Sequence, residues 1–228
     1  MPSEHDGHRI RLKHRFIKTG LDDFEPHNVL ELLLFYSVPR KDTNPLAHRL
    51  ISRFGSLSAV FDAKPEELMK VEGVTENTAV LLSMIPQMAR RYLEEKADVV
   101  NVAGGFVDLG EYFLPRFVGR TVETVMLAAL VNINKKISCA IVAEGETDNA
   151  KISKRKIMEE AIRAKATRVV LAHNHPMGFA VPSAEDVYMT GEVFELLKSV
   201  NIELIDHIIV AEDDFVSMAA SGIFFGQK

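Results

Sequence analysis

One short stretch, Leu171 to Asp186, constrains the fold of this chain more than any other. Apolar residues lead into His173 and His175, and their pattern predicts a strand that ends at this pair. Because alternate residues of a strand share a face, the two imidazoles can point the same way if the extended geometry continues through Asn174. Prolines and a glycine then predict a sharp turn, after which a helix follows. A strand, a loop and a helix must therefore meet where the histidines lie.

The helix after this loop has a capping signal at its start. Pro182, Ser183 and Asp186 fit a capping box, in which the serine caps the helix and the acid occupies its third position. That interpretation accounts for Ser183 and Asp186 but for neither histidine. Two imidazoles and a carboxylate are also ligands that Zn²⁺ accepts, and a catalytic zinc usually takes three protein groups and a water. Capping and metal binding do not exclude each other, so both predictions stand.

The chain up to residue 96 has apolar residues at helical spacing, which predicts a small all-α domain over residues 1–96. Within it, Pro26 to Tyr36 predicts a helix that is buried on most of its circumference. The basic residues between Arg9 and Lys18 predict either a flexible solvated arm or an arm that contacts phosphate. The second alternative is one way in which this domain could bind nucleic acid.

A turn near the end of the helical part has the form hydrophobic-x-Gly-hydrophobic. This turn, Val71 to Val74, resembles that of a helix-hairpin-helix motif, in which backbone amides contact a DNA phosphate. The second glycine expected after Val74 is replaced by Thr75, and the acidic Glu76 follows it. Helix packing and weak DNA contact through residues 1–96 therefore both stay open as roles for this part.

The pattern of apolar residues changes beyond residue 96. Gly104 and Gly105 predict a linker over residues 97–106. Strands are predicted at 124–131, 136–142, 168–172 and 203–210, a hairpin turn at 132–135, and helices from 153 and at 184–200. Because strands and helices are mixed in this order, we expect an α/β or α+β sandwich over residues 107–228.

Composition restricts the class of protein further. The longest apolar runs, such as Val125 to Val131, are far shorter than the ~20 residues of a membrane helix. The polar N-terminus lacks the pattern of a secretory signal, so we expect a cytoplasmic protein without membrane contact. The one cysteine, Cys139, cannot form an internal disulfide, and its apolar surroundings predict a buried structural thiol.

The net charge of −5 is unevenly distributed along the chain. Residues 1–96 carry 14 basic and 14 acidic side chains, whereas the remaining residues carry 13 and 18. Because binding to a nucleic-acid backbone needs positive charge, any such contact is expected in the first part only.

The spacing of the polar residues between Leu171 and Asp186 matches a known motif. His-x-His, seven residues, then Ser-x-x-Asp is the JAMM signature of JAB/MPN metallopeptidase-like domains, and His173, His175, Ser183 and Asp186 satisfy it without a gap. More of the chain resembles the bacterial RadC proteins, the UPF0758 family. The segments that carry this closer resemblance are Ala172–Pro176, Pro182–Asp186, Asp206–Val210, Val29–Leu33, Phe54–Leu57 and Ala89–Arg91.

The resemblance implies an α+β JAB/MPN domain, an α/β sandwich of cytidine-deaminase-like type, preceded by a small all-α, helix-hairpin-helix-like domain. It implies a Zn²⁺ held by His173, His175 and Asp186, with a water in the fourth position. Such a zinc lowers the pKa of the water to ~7 and polarises a carbonyl, which favours attack on an amide. Ser183 would hydrogen-bond the developing oxyanion, a contribution of ~3 kcal/mol in comparable donors. The implied substrate is an unknown peptide or isopeptide.

A carboxylate must also accept the proton of the attacking water. In JAMM enzymes this general base is an upstream glutamate on a separate element, and Glu123, just before the first predicted strand, is the best match. The strand is one residue longer than expected, so a bulge or a shifted register could turn Glu123 away. Glu144 and Glu146, near a turn, are the alternative candidates.

Two departures or additions bear on the site. RadC proteins usually have a serine where this chain has Met177, so we expect altered substrate contact and retained metal binding. Asp206 and His207 are expected either to orient a metal ligand or to form the polar start of a buried strand.

Two functions of different classes follow from these observations. The first is a RadC-like, zinc-dependent metallopeptidase. The second is a non-catalytic, DNA-associated or scaffolding protein whose metal is structural. The helical first half, the basic cluster and the traditional label of the RadC family as DNA repair proteins favour the second, and salt-dependent DNA binding would distinguish it from the first.

Overall fold

The computed structural model describes residues 4–39, 41–97, 106–131, 136–145 and 153–223. The chain separates into two compact units, Met1–Ala89 and Arg90–Lys228. The predicted linker at 97–106 lies mostly outside the described residues, although Ala97 ends one helix and Phe106 begins another. Among the helices that the structure describes, none has the length and apolar character to span a membrane.

The first unit is built from helices. They are α1 (Glu4–Thr19), α2 (Pro26–Ser37), α3 (Asn44–Phe54), α4 (Leu57–Asp62), α5 (Pro65–Leu68) and the first part of α6 (Glu76–Ala97). Prolines in the first turn of α2, α3 and α5 suit helix starts, because that turn's N–H groups have no partner within the helix. Leu30 and Leu34 of α2 pack with Leu50 of α3 in a fully buried cluster, which confirms the predicted burial of α2.

The basic segment at the N-terminus forms the helix α1, so the prediction of a flexible arm is wrong. Arg9 donates hydrogen bonds from Nη2 to the carbonyl oxygens of Val38, at 2.7 Å, and Lys41, at 2.6 Å. Leu12 is buried against Phe35 of α2. The segment is ordered because part of its basic and apolar side chains pack on the unit, which a count of charges does not reveal.

The turn between α5 and α6 places Gly73 in the left-handed region, at φ +95°. Arg49 donates from Nε to the carbonyl oxygen of Glu72, at 3.2 Å, and Thr75 accepts from the amide of Thr78 at 3.3 Å, inside α6. These bonds hold the turn against the rest of the unit. DNA contact by this turn stays a prediction.

The second unit contains a five-stranded sheet. Its strands are β1 (Glu123–Val131), β2 (Lys136–Gly145), β3 (Arg168–Asn174), β4 (Glu203–Ala211) and β5 (Asp214–Ser217), in the order β2-β1-β3-β4-β5. The pair β3 and β4 is parallel and the other pairs are antiparallel. A helix connects the two parallel strands, as such a pair requires.

Helices cover both faces of this sheet: α7 (Phe106–Phe117), α8 (Lys154–Arg163) and α9 (Ala184–Lys198). One set of alternate β1 residues, Val125 to Ala129, packs with Ile157 of α8 and Val193 of α9. The other set, Met126 to Leu130, packs with Phe113 of α7. The sheet therefore lies between two helical layers, and the predicted mixed α+β class is confirmed.

The pattern of the sequence did not predict α7 or β5. Strand β2 is also longer than predicted, and its pairing with β1 shifts by one residue between Val125 and Met126, which leaves the extra residue, Val142, on β2. The sequence suggested a bulge in the first predicted strand, and the bulge lies instead in its partner strand, β2. The predicted hairpin turn at 132–135 lies outside the described residues.

Candidate metal centre

The two histidines lie at the end of β3, the central strand of the sheet. His173 pairs with Val125 of β1 on one side and with Ile209 of β4 on the other, so its side chain is fixed from both directions and is 1% exposed. The amide of His175 donates to the carbonyl oxygen of Val210 at 2.8 Å, which carries the strand-like pairing past Asn174. Both imidazoles therefore meet on one face of the sheet, as the spacing predicts.

The loop after β3 orients His175. Its Nδ1 lies 3.0 Å from the carbonyl oxygen of Phe179, and its own carbonyl accepts from the amide of Gly178 at 3.1 Å. A carbonyl oxygen only accepts, so Nδ1 of His175 carries the ring proton and donates it. In the neutral imidazole, Nε2 therefore presents a lone pair, which is the state in which histidine binds a metal.

The capping box at the start of α9 supplies the carboxylate. Oδ2 of Asp186 accepts from the amide and from the hydroxyl of Ser183, both at 2.7 Å, and Oγ of Ser183 accepts from the amide of Asp186 at 3.1 Å. The predicted capping box is thus confirmed. Because these two donors are both directed at Oδ2, Oδ1 stays available for another partner.

Nε2 of each histidine and the two carboxylate oxygens of Asp186 converge. Nε2 of His173 lies 2.9 Å from Nε2 of His175 and 3.1 Å from Oδ1 of Asp186, and Nε2 of His175 lies 3.4 Å from Oδ2. One donor atom from each of the three residues lies within 4.8 Å of the other two. Two ligands that bind one tetrahedral ion at ~2.0–2.1 Å are about 3.3 Å apart, so the three groups lie near the spacing that Zn²⁺ requires. Two neutral imidazoles and one carboxylate are also the kind and number of ligands that catalytic zinc sites use. The predicted residues therefore form a group that can hold a metal.

The electrostatics of the group favour a cation at its centre. Burial opposes ionisation of Asp186, but the neighbouring imidazoles of His173 and His175 outweigh it, and the pKa of Asp186 lies well below its usual range. The hydrogen bond with Asp186 raises the pKa of His175 against the effect of burial, and the Phe179 carbonyl and the charge of Glu123 add to the rise. A proton on His175 is thus stabilised at the place where a metal ion would bind.

Glu123 lies at the start of β1, next to β3. Val125, two residues later, pairs with His173, and residues two apart in a strand share a face. Glu123 therefore starts on the face of the sheet that carries the histidines. The bulge at Val142 of β2 does not interrupt the β1–β3 register, which runs unbroken from Val125 to Leu130.

Asn174 fixes the segment that carries Glu123. Its Oδ1 accepts from the amide of Thr124 at 2.8 Å, and its Nδ2 donates to the carbonyl oxygens of Val122, at 3.2 Å, and Arg120, at 3.3 Å. The buried amide thus binds the backbone on both sides of Glu123. Asn174 was not predicted from the sequence, although its position between the two histidines placed it at the site.

The alternative glutamates are placed differently. Glu144 pairs with Thr124 across the strands, so its side chain starts on the face opposite that of Glu123. Its Oε1 lies 3.1 Å from Nη1 of Arg120 in an ion pair. Glu146 lies outside the described residues.

His207 contacts the candidate metal centre, whereas the hydrogen bonds of Asp206 lie elsewhere. Nε2 of His207 lies 2.8 Å from Nδ1 of His173, which agrees with the predicted ligand-orienting role for His207. The carboxylate of Asp206 instead accepts from the amides of His207 and Ala219 and from the hydroxyl of Ser217. It therefore anchors the turn after β5. Thr190, which contacts His207, was not predicted, although it lies one helical turn after Asp186.

Comparison with known proteins gives two matches. Residues 106–223 match the sequence model of a RadC-like JAB domain, and this match contains every residue of the metal centre. A UPF0758 protein of Fusobacterium nucleatum is 29% identical over an alignment of 227 residues that covers 96% of this chain and 98% of the relative. The second match extends the similarity through the helical unit.

Proposed function

Because this chain belongs to the RadC (UPF0758) family of proteins with a RadC-like JAB domain, we propose that it is a zinc-dependent hydrolase of peptide or isopeptide bonds. The observation that supports this most is the convergence of His173, His175 and Asp186, whose donor atoms, one from each residue, lie within 4.8 Å of one another. His173 and Asp186 are buried, and His175 is partly exposed. A substrate could therefore reach the centre from the side of His175.

The three ligands would bind Zn²⁺ through Nε2 of each histidine and Oδ1 of Asp186. When bound, zinc supplies Lewis acidity, which lowers the pKa of a water and polarises a carbonyl oxygen. The carboxylate of Glu123, on the neighbouring strand, accepts the proton of the attacking water and returns it to the leaving amine. Asn174 holds the backbone around Glu123 in place while the proton moves.

Ser183 is proposed to donate a hydrogen bond to the carbonyl oxygen as negative charge develops on it. Its hydroxyl donates to Oδ2 of Asp186, so this role requires the hydroxyl to rotate while the amide of Ser183 keeps its bond to Asp186. A donor of this kind contributes about 10²–10³-fold in rate.

Metal content and peptide cleavage test the proposal together. We expect the purified protein to carry about one zinc ion per chain, because the site offers three ligands of the right chemistry. His173→Ala should lose the metal, whereas His14→Ala, which changes an exposed histidine of α1, should keep it. Elemental analysis by mass spectrometry gives the zinc content.

Glu123→Gln separates metal binding from catalysis. The variant should keep its zinc and lose about 10²–10⁴-fold in the rate at which the zinc-loaded protein cleaves a peptide library, because only the proton acceptor has changed. Cleavage products are measured by mass spectrometry. Wild-type protein without zinc would refute the site, and equal cleavage by wild type and Glu123→Gln would refute the role of Glu123.

The alternative is a non-catalytic, DNA-associated or scaffolding protein, and the exposure of part of the basic helix α1 favours it. Arg11, Lys13 and Lys18 are exposed, whereas Arg9 binds backbone carbonyls. If this function holds, the logarithm of the DNA-binding constant of the whole chain should fall linearly with the logarithm of the salt concentration. The number of phosphates contacted sets the slope. Absence of binding at low salt would remove this alternative.

A further inference from the structure

A chain of hydrogen bonds leads from the backbone of α9 to His173. Oγ1 of Thr190 lies 2.5 Å from the carbonyl oxygen of Asp186 and 2.6 Å from Nδ1 of His207. Nε2 of His207 in turn lies 2.8 Å from Nδ1 of His173. The three side chains are at most 2% exposed, so each group depends on its protein partner.

The directions of these three hydrogen bonds follow one from another, starting at the carbonyl oxygen of Asp186, which can only accept. The carbonyl of Asp186 has no proton, and two oxygens 2.5 Å apart repel unless a proton lies between them, so the Thr190 hydroxyl donates to it. The hydroxyl has one proton only, and its oxygen must therefore accept the second bond from Nδ1–H of His207. A neutral imidazole has one N–H, which leaves Nε2 of His207 as an acceptor. Nδ1 of His173 is then the donor in the last bond.

We infer that Thr190 is a positioning residue of the metal centre: through His207, its hydroxyl selects the tautomer of His173 that leaves the Nε2 lone pair free for a cation. The inference rests on the proposed function in that the cation is the zinc of that site. One helix, α9, thus supplies both the ligand Asp186 and, one turn later, the group that prepares the ligand on β3.

Removal of the Thr190 hydroxyl should reverse the direction of these hydrogen bonds. In Thr190→Val, a methyl group replaces the acceptor, and Nδ1–H of His207 becomes a buried donor without a partner, which is unfavourable. His207 then places its proton on Nε2 and donates to Nδ1 of His173. His173 in turn carries its proton on Nε2, where it blocks the position of the metal. Thr190→Ser keeps the hydroxyl and should keep the original direction.

Two measurements on the whole chain test this inference. Nitrogen-15 spectra of the zinc-free protein at about pH 8 report which ring nitrogen of His173 is protonated. Competition with a chelator gives the zinc affinity. We expect Nδ1–H in wild type and Thr190→Ser, Nε2–H in Thr190→Val, and an affinity for zinc that is about 10–100-fold lower in Thr190→Val. Thr78→Val, which changes a buried threonine of α6, is the matched control and should keep wild-type affinity.

The outcomes are distinguishable from failure of the proposed function. Thr190→Val with the wild-type tautomer and wild-type affinity would overturn the inference, as would an equal loss of affinity in Thr78→Val. Wild-type protein that binds no zinc would overturn the proposed function, while the spectra would still decide whether Thr190 sets the tautomer. If Thr190→Val does not fold, Thr190→Ala removes the same hydroxyl with less crowding, and the same two measurements apply.

Discussion

At the residue scale, each proposed metal ligand has its second polar atom already hydrogen-bonded to another group. Nδ1 of His175 is hydrogen-bonded to the carbonyl of Phe179, and Nδ1 of His173 is hydrogen-bonded to His207. Oδ2 of Asp186 accepts from Ser183. Each ligand is thereby oriented by a bond on the side away from the metal, which is the usual design of protein metal sites. Loss of any one of these bonds should affect metal binding more than folding.

Asp186 couples this centre to pH in the zinc-free protein. Its pKa lies well below the usual value, so its ionised form stabilises the fold above about pH 4, and that contribution is lost as pH falls. The raised pKa of His175 has the opposite dependence on pH. Its proton stabilises the fold below about pH 6.5, and this contribution is lost as pH rises through the folded-state pKa.

Asp186→Asn should remove both of these pH-dependent contributions to stability. We expect the difference in unfolding free energy between wild type and variant to be largest between about pH 4 and 6.5 and to shrink on either side. Burial lowers the pKa of His207 in both proteins, so that contribution largely cancels in the difference. Urea unfolding of the zinc-free protein, within this pH range and on both sides of it, measures the difference, with the exposed Asp22→Asn as control. A difference that does not vary with pH would contradict the coupling.

Asn174 gives a second prediction at this scale. In Asn174→Asp, the donor Nδ2 becomes an oxygen that faces the carbonyl oxygens of Arg120 and Val122, so two hydrogen bonds are replaced by repulsion in a buried place. We expect the free energy of unfolding to fall by about 3 kcal/mol. Chemical denaturation measures it, and Asn77→Asp, on the exposed surface of α6, should change it by less than about 0.5 kcal/mol. Similar losses in both variants would contradict the role of Asn174.

At the element scale, α7 shows where close packing replaces helix propensity. The helix contains Gly110 and Pro115, which disfavour a helix interior, yet Leu109, Phe113 and Phe117 lie on one side and pack on the sheet. A side chain at Gly110 would lie 2.0 Å from the ring of Phe215 on β5. The glycine is therefore needed for contact between α7 and the sheet.

Gly110→Ala tests this contact. Alanine favours a helix by about 1 kcal/mol over glycine, but the added methyl group must displace the Phe215 ring, and overpacking costs about 1–3 kcal/mol, so we expect lower stability. Gly191 of α9 is the matched control, since a methyl group there meets no atom within 4 Å, and Gly191→Ala should raise stability by about 0.5–1 kcal/mol. Thermal unfolding measures both. A stability gain in Gly110→Ala would show that the ring moves freely.

Particular residues show how far the sequence alone determined these elements. Pro26 in the first turn of α2 and the cap Ser183 of α9 act within a few residues, so local pattern predicted those two helix starts well. Helix α6 ends at Ala97, and Arg90 and Arg91 in its last part pair with acids one turn later. The start of α7 and the packing of α1 depend on distant partners, which local pattern does not contain.

The candidate site follows the same division. The JAMM spacing named His173, His175, Ser183 and Asp186, because four positions in one short stretch carry the signal. Thr190 and Asn174 act through bonds to residues far away in the chain, His207 and Thr124, and carry no signal in spacing alone. The side of the sheet occupied by Glu123 required the β1–β3 register, which only the folded chain contains.

At the scale of the whole molecule, charge and chemistry are divided between the two parts of the chain. The excess of acidic side chains lies beyond residue 96, in the part that carries the metal centre, while residues 1–96 are neutral overall. An acidic surface repels a nucleic-acid backbone and is compatible with a neutral or basic peptide. The distribution therefore supports the proposed peptide substrate at the centre and confines any DNA contact to the helical part.

The two compact units, Met1–Ala89 and Arg90–Lys228, lead to the last prediction. We propose that they unfold independently, with a helical domain at 1–96, a linker at 97–106 and a metal-binding domain at 107–228. Zinc at about 100 times its dissociation constant should then stabilise the second unit alone, by about 2.7 kcal/mol, because only that unit holds the ligands.

Hydrogen–deuterium exchange of the whole chain, with and without zinc, measures this directly. Amides of β3, α9 and β4 that exchange through unfolding of the second unit should slow by about 100-fold, while those of α2 and α3 should not change. His173→Ala, which removes a ligand, should abolish the effect, and His14→Ala should leave it intact. Slower exchange in α2 and α3 to the same degree would mean that the units unfold as one, because linkage to the metal would then reach every amide whose exchange requires global opening.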